Sequence, residues 1–292
     1  MDSMHEPNLK DLLPREPLNR RLFVTGGVMA TGFALSVQPV QAQTAIVTDT
    51  AGITGGEVSI KAADRSFPAY AAMPATGGPF PVVLVISEIW GAHEWVRDVA
   101  RRLAKQGYLA IAAEFFVRQG DVAKAPNIQE VLKIVNAVPD KQVMSDLDAV
   151  WAWAAASGKG NMNKVAVTGF CWGGRQTWLY AAHNPKLKAV VAWYGQVKGA
   201  TSDLKPKNVV DIVGDLKVPV LGLYGAADTG IPVPQVEEIA GMLAASSKKG
   251  EIVMYPATPH GFLADYRPSY TKASAEDAWK RMLEWLKKNG FA

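Results

Sequence analysis

Six apolar runs, Val82–Ile86, Tyr108–Ala113, Val165–Thr168, Ala189–Trp193, Val218–Tyr224 and Ile252–Tyr255, constrain this chain more than any other feature. They are short, rich in β-branched residues and apolar at successive positions, the mark of strands covered on both faces. Segments of helical period lie among them: Glu94–Lys105, Ile128–Val135, Lys141–Ala156, Gly173–His183, Pro234–Lys248 and Lys272–Lys288. Such alternation closes as a mostly parallel central sheet with helices on both faces. Two further short strands, Glu57–Ala62 and Pro68–Met73, precede it as a hairpin, so a single domain is expected over 57–292, after a loose linker over 43–56. With 49% apolar residues in 292, the core is ample and a disordered chain is excluded.

Residues 1–42 read as an address rather than as fold. A polar leader runs into Arg20-Arg21-Leu22-Phe23, then an apolar stretch to about Val37, then Val40-Gln41-Ala42. That stretch falls short of the roughly 20 residues a spanning helix needs, and its end suits cleavage after Ala42. The paired arginines predict a twin-arginine (Tat) signal, the alternatives being an ordinary Sec signal or an uncleaved anchor. The Tat export machinery is then a partner of the precursor, and the mature protein is periplasmic or secreted.

Charge and cysteine usage narrow the chemistry. The 31 basic and 27 acidic side chains leave a net charge of +4 without any long basic run, which argues against nucleic-acid binding. Cys171 is the sole cysteine, so no intramolecular disulfide can form, and four histidines leave no Cys/His cluster of zinc spacing. Neither a metal nor a cofactor is expected.

In open α/β sheets the chemistry gathers at the carboxyl ends of strands. After Val165–Thr168 comes Gly169-Phe170-Cys171-Trp172-Gly173-Gly174, a G-x-C-x-G at a strand-to-helix junction. This is the nucleophile-elbow pattern with sulfur for oxygen, its flanking glycines leaving room for a sharp turn. A thiol there meets the positive end of a helix dipole, which favours thiolate. The elbow order nucleophile, acid, histidine is completed by Asp228, beyond Val218–Tyr224, and His260, beyond Ile252–Tyr255. The loop Ser87-Glu88-Ile89-Trp90-Gly91 ends the first long strand; Ile89 and Trp172 are the expected main-chain oxyanion donors, with Glu88 aimed into the cleft. His183 reads as a helix-end residue and His93 as a capping or packing residue.

These motifs, with Gly225-Ala226-Ala227-Asp228 and His260-Gly261-Phe262, together resemble the dienelactone hydrolase (carboxymethylenebutenolidase) family of α/β-hydrolases. The resemblance extends over about Glu57 to Leu286. It implies an α/β-hydrolase fold, a Cys171–His260–Asp228 triad, and a Glu88 that holds the resting thiol and helps to generate thiolate when substrate binds. Arg118 matches a family arginine that grips a substrate carboxylate. The second such arginine falls on Ala264 here, with Arg267 three residues further on, so the preference for acidic lactones is expected to weaken. The chain is thus expected to be a monomeric or weakly dimeric hydrolase of lactones or small esters, working through a thioester. Its rivals are a periplasmic thiol sensor using Cys171 alone and a non-catalytic ligand binder.

Overall fold

The computed structural model describes residues 46–245 and 250–291. The paired arginines, the apolar stretch and the Ala42 site of the leader lie outside the described residues. Eight strands form one sheet: β1 (Ile53–Lys61), β2 (Ser66–Pro74), β3 (Phe80–Ile86), β4 (Leu109–Ala113), β5 (Gly160–Phe170), β6 (Ala189–Trp193), β7 (Val220–Gly225) and β8 (Gly250–Tyr255). Their order is β1-β2-β4-β3-β5-β6-β7-β8. From β3 to β8 all pairings are parallel, and β2 is antiparallel to both β1 and β4. This is the mostly parallel sheet that the apolar runs demand. Every residue of β4 and β6 is buried, as central strands sandwiched between helices must be. The helices are α1 (Glu94–Lys105), α2 (Ile128–Asn136), α3 (Asp140–Ala156), α4 (Trp172–His183), α5 (Val233–Ala245) and α6 (Lys272–Lys288).

The hairpin corrects one boundary. β1 starts at Ile53, which pairs with Pro74, so residues 53–56 are strand and not linker. Gly55-Gly56 looks like linker chemistry, but the reason for Gly55 is steric: a Cβ there would overlap the Tyr70 hydroxyl on β2. The segment before β1 is not loose either. Thr48 donates its N–H and its hydroxyl to the two carboxylate oxygens of Asp98 on α1, at 2.7 and 3.1 Å. Arg102, one turn along α1, binds Asp98 at 2.6 Å, the Ile46 carbonyl at 3.3 Å and the buried Asp265 in the loop before α6. The amino-terminal segment, α1 and that loop are therefore clasped together.

A second buried ion pair fixes α4. Arg175 places its two Nη atoms on the two oxygens of Asp140, at 2.6 and 2.8 Å, and reaches the Lys207 carbonyl at 2.7 Å. Bidentate geometry of this kind sets orientation as well as position. It locks the start of α4 to the start of α3, and the β5–α4 junction is where Cys171 sits.

Candidate active site

Cys171 stands between β5 and α4 with φ 55° and ψ −115°. A non-glycine residue in that region is costly and persists only where its surroundings dictate it. Here they do. The Cys171 N–H donates to the Trp193 carbonyl at 3.0 Å. A Cβ on Gly169 would overlap the Gly173 carbonyl, and one on Gly173 would overlap the carbonyls of Ile86 and Ser87. The glycine spacing therefore serves close backbone approach, and it drives the amino end of α4 against the end of β3.

Asp228 and His260 come from the loops after β7 and β8. Those loops touch so closely that a Cβ on Gly225 would overlap the Thr258 carbonyl. His260 Nδ1 lies 2.6 Å from Asp228 Oδ2, while Asp228 Oδ1 accepts from the Gly230 and Ile231 amides at 2.9 and 3.2 Å. With both carboxylate oxygens engaged, Asp228 holds the proton on Nδ1 and leaves Nε2 available. That Nε2 is buried, and among the described residues no hydrogen-bond partner is in place for it. Burial works to lower the His260 pKa, but the Asp228 carboxylate and the Cys171 sulfur outweigh it and hold the imidazole well above its usual value.

The surroundings of Glu88 differ from those the resemblance implies. Glu88 is fully buried, and its Oε2 accepts hydrogen bonds from the Tyr266 hydroxyl and, at 2.8 Å, from Arg267 Nη2. Among the described residues Oε1 has no partner, and no hydrogen bond joins Glu88 to Cys171. The reason is Arg267, a buried guanidinium that needs a carboxylate beside it. Burial acts to lower the Arg267 pKa and Glu88 to raise it, with Glu88 prevailing. Arg267 Nη1 has no partner among the described residues.

Arg267 reaches this place by local folding. Successive bonds from Ala264 N to Gly261 O, Arg267 N to Ala264 O and Tyr270 N to Arg267 O wind residues 261–270 into consecutive turns. The winding carries Arg267 back over Gly261, where an added Cβ would lie 3.4 Å from Arg267 Cδ. Ala264 is buried.

Arg118 is placed otherwise than its substrate-gripping assignment requires. Its Nε and Nη2 bind Asp64 at 2.7 Å each, and its Nη1 and Nη2 bind Asp146 at 2.7 and 2.9 Å. Burial holds the Asp146 carboxyl above the usual carboxylate range even with this arginine beside it. Arg118 thus ties the β1–β2 turn to α3, and each of its three nitrogens is already engaged by a carboxylate.

The remaining positions are quickly placed. Among the described residues, no group accepts from the main-chain N–H of Ile89 or of Trp172, the first residue of α4. His93 precedes α1 without a side-chain cap, and its ring packs edge-on against Tyr266 at 5.1 Å. Burial, with Arg267 second, lowers its pKa to about 3. His183 pairs with Asp148 at 2.8 Å at the end of α4. The sequence reading missed Tyr266 and Tyr194. Tyr266 adjoins Arg267, and Tyr194, beyond β6, sets its ring edge-on to His260 at 5.0 Å. A tyrosine directly after a central parallel strand is the signal that could have found Tyr194.

A model of the dienelactone hydrolase family matches residues 67–290. A Methylorubrum extorquens protein named "Putative carboxymethylenebutenolidase" is 53% identical over 288 residues, covering 98% of this chain and 99% of its own. A protein of the same name from Escherichia coli (strain K12) is 51% identical over 262 residues, covering 89% and 96%. Among solved structures, a "Putative Dienelactone Hydrolase" from Klebsiella pneumoniae is 52% identical with a TM-score of 0.79, covering 81% of this chain and 99% of that one.

Proposed function

The chain belongs to the dienelactone hydrolase family, lactone and ester hydrolases of the α/β-hydrolase fold, and from that premise we propose that it hydrolyses a carboxylate-bearing lactone or ester through a thioester on Cys171. The observation that carries this reading is the pairing of a sharply turned Cys171 with a buried His260 whose Nδ1 is taken by Asp228 and whose Nε2 is left open. Such a geometry aims a sulfur and a proton carrier at one point. Cys171 attacks the carbonyl carbon, and the Ile89 and Trp172 amides receive the oxyanion. The carbon–oxygen bond then breaks, with His260 giving its proton to the departing oxygen. Water, deprotonated by His260, releases the acid and the thiol.

Arg267 is the substrate grip in this reading. Its unpartnered Nη1 offers a donor to a carboxylate, and a substrate drawing Arg267 toward itself loosens Glu88 to assist thiol ionisation, as the family resemblance implies. Brief mixing with a 4-nitrophenyl ester, acid quenching and peptide mass analysis should find the acyl group on the peptide that contains Cys171. An acyl group on another residue would overturn the reading.

The two arginines can be told apart in one comparison. Arg267→Ala should cut the ratio of catalytic efficiencies on a dienelactone acid and its methyl ester by about tenfold or more, the size of one charged hydrogen bond. A ratio taken within one variant is insensitive to how much protein folds. Arg118→Ala should leave that ratio unchanged and lower stability by about 3 kcal/mol, because it strips the buried Asp146 of its cation. An unchanged ratio in Arg267→Ala, or a collapsed one in Arg118→Ala, would reverse the assignment.

A further inference from the structure

Tyr194 pays two structural costs at the edge of the catalytic cleft. Its side chain is fully buried, yet its hydroxyl has no hydrogen-bond partner among the described residues. By contrast the hydroxyls of Tyr180, Tyr224, Tyr255 and Tyr266 are each bonded, to Asp148, Trp178, Asp277 and Glu88. Its φ is also positive, at 35°, which is an outlier conformation for a bulky residue. Each feature alone lowers stability.

Packing explains the turn but not the side chain. The Cys171 N–H is bonded to the Trp193 carbonyl, and a Cβ on Gly174 would overlap that same carbonyl, so the chain at 193–195 is pressed against the elbow. A glycine at 194 would take this turn without strain, and a phenylalanine would fill the ring's place without stranding an oxygen. The ring itself meets His260 at 5.0 Å and Phe262 at 5.4 Å, both edge-on. The hydroxyl lies within electrostatic reach of Glu88, Arg267 and Cys171. Burial first, and Glu88 second, keep the phenol protonated by raising its pKa well above the usual value, so it can serve only as a neutral hydroxyl.

We propose that the Tyr194 hydroxyl donates a hydrogen bond to the departing oxygen of the substrate, on the His260 side of the scissile bond. The assignment rests on the Cys171 reading above. As the sulfur–carbon bond forms and the carbon–oxygen bond breaks, the electron pair moves to the departing oxygen, and His260 supplies the proton. Tyr194 keeps its own proton and binds that oxygen more strongly as charge builds on it, which is the differential binding that accelerates a reaction. The carbonyl oxygen has its own donors in the Ile89 and Trp172 amides. Tyr194 rises from β6 beside the imidazole, which is the departing oxygen's side.

Tyr194→Phe in the full chain tests this with an ethyl ester and a 4-nitrophenyl ester of the same acid. Catalytic efficiency reports bond breaking up to the first product, and nitrophenolate leaves well without a donor. The ethyl ester should lose about tenfold or more, the nitrophenyl ester less than about twofold. The melting temperature should stay level or rise, because a stranded hydroxyl is gone. Equal losses on the two esters would place the hydroxyl elsewhere, and no loss on either would leave it without a role in turnover. A lowered melting temperature would make it structural. Each of these outcomes overturns the proposal. Failure of the nucleophile assignment registers separately, as turnover that survives Cys171→Ala.

Discussion

Cys171→Ala is expected to lower kcat by at least about 10⁴-fold, the scale on which removal of a triad nucleophile acts. The fold should be untouched. Alanine faces the same positive φ as cysteine, and the contacts that impose the turn come from the main chain and from Gly169 and Gly173. Binding of the carboxylic acid product, followed by calorimetry, should therefore stay close to that of the unaltered protein. Cys171→Ser should retain only a remnant. A serine hydroxyl at the same turn is a far weaker nucleophile than a thiol when His260 is its only base. Persistent turnover in Cys171→Ala, in protein shown by mass to be free of wild-type chain, would remove Cys171 from the mechanism and leave the family membership standing.

Gly173→Ala should be among the most damaging single methyls that can be added to the fold, at a cost of about 3 kcal/mol or more. Its Cβ would overlap the carbonyls of Ile86 and Ser87. Both belong to the main chain at the end of a buried central strand, where no side chain can swing away. For a domain of this size that cost lowers Tm by roughly 10 °C. Gly241→Ala is the control. Gly241 lies within α5 with nothing near its added Cβ, so alanine there should stabilise by about 0.5–1 kcal/mol through helix propensity. Urea unfolding of the two variants measures both effects, and a tolerated Gly173→Ala would show that the elbow can slide along β3.

Much of the architecture was legible because buried parallel strands leave long apolar runs that polar and turn residues interrupt. The runs ending at Ile86, Ala113 and Trp193 close at the strand ends themselves. Where pattern and structure part, the cause is a neighbour distant in sequence. Val165–Thr168 marks only the middle of β5, because Asn161 and Asn163 near its start are polar and Gly169 near its end is small. Residues 53–56 hide their strand behind two glycines, of which Gly55 is required by Tyr70. The order Cys171, Asp228, His260 was readable because each residue lies in the loop that follows its own strand. The partners of Arg118 and Glu88 were not, since an arginine carries no mark of which carboxylate it will meet. Asp64 and Asp146 are brought to Arg118 only by the finished fold, and the turns of 261–270 that deliver Arg267 to Glu88 are main-chain bonds without a motif.

The clasp among Thr48, Asp98, Arg102 and Asp265 bears on how the protein can be handled. Asp265 immediately precedes Tyr266 and Arg267, so the loop that grips Glu88 is moored, through one arginine, to the segment just ahead of β1. A purification tag or fusion partner joined directly before Ile46 would tug on that mooring and be felt in the cleft. One joined after Phe291 would instead load the contact of that ring with Tyr108, 6.4 Å away at the start of β4. The carboxyl end is accordingly the better handle for immobilising or labelling the protein without disturbing its chemistry.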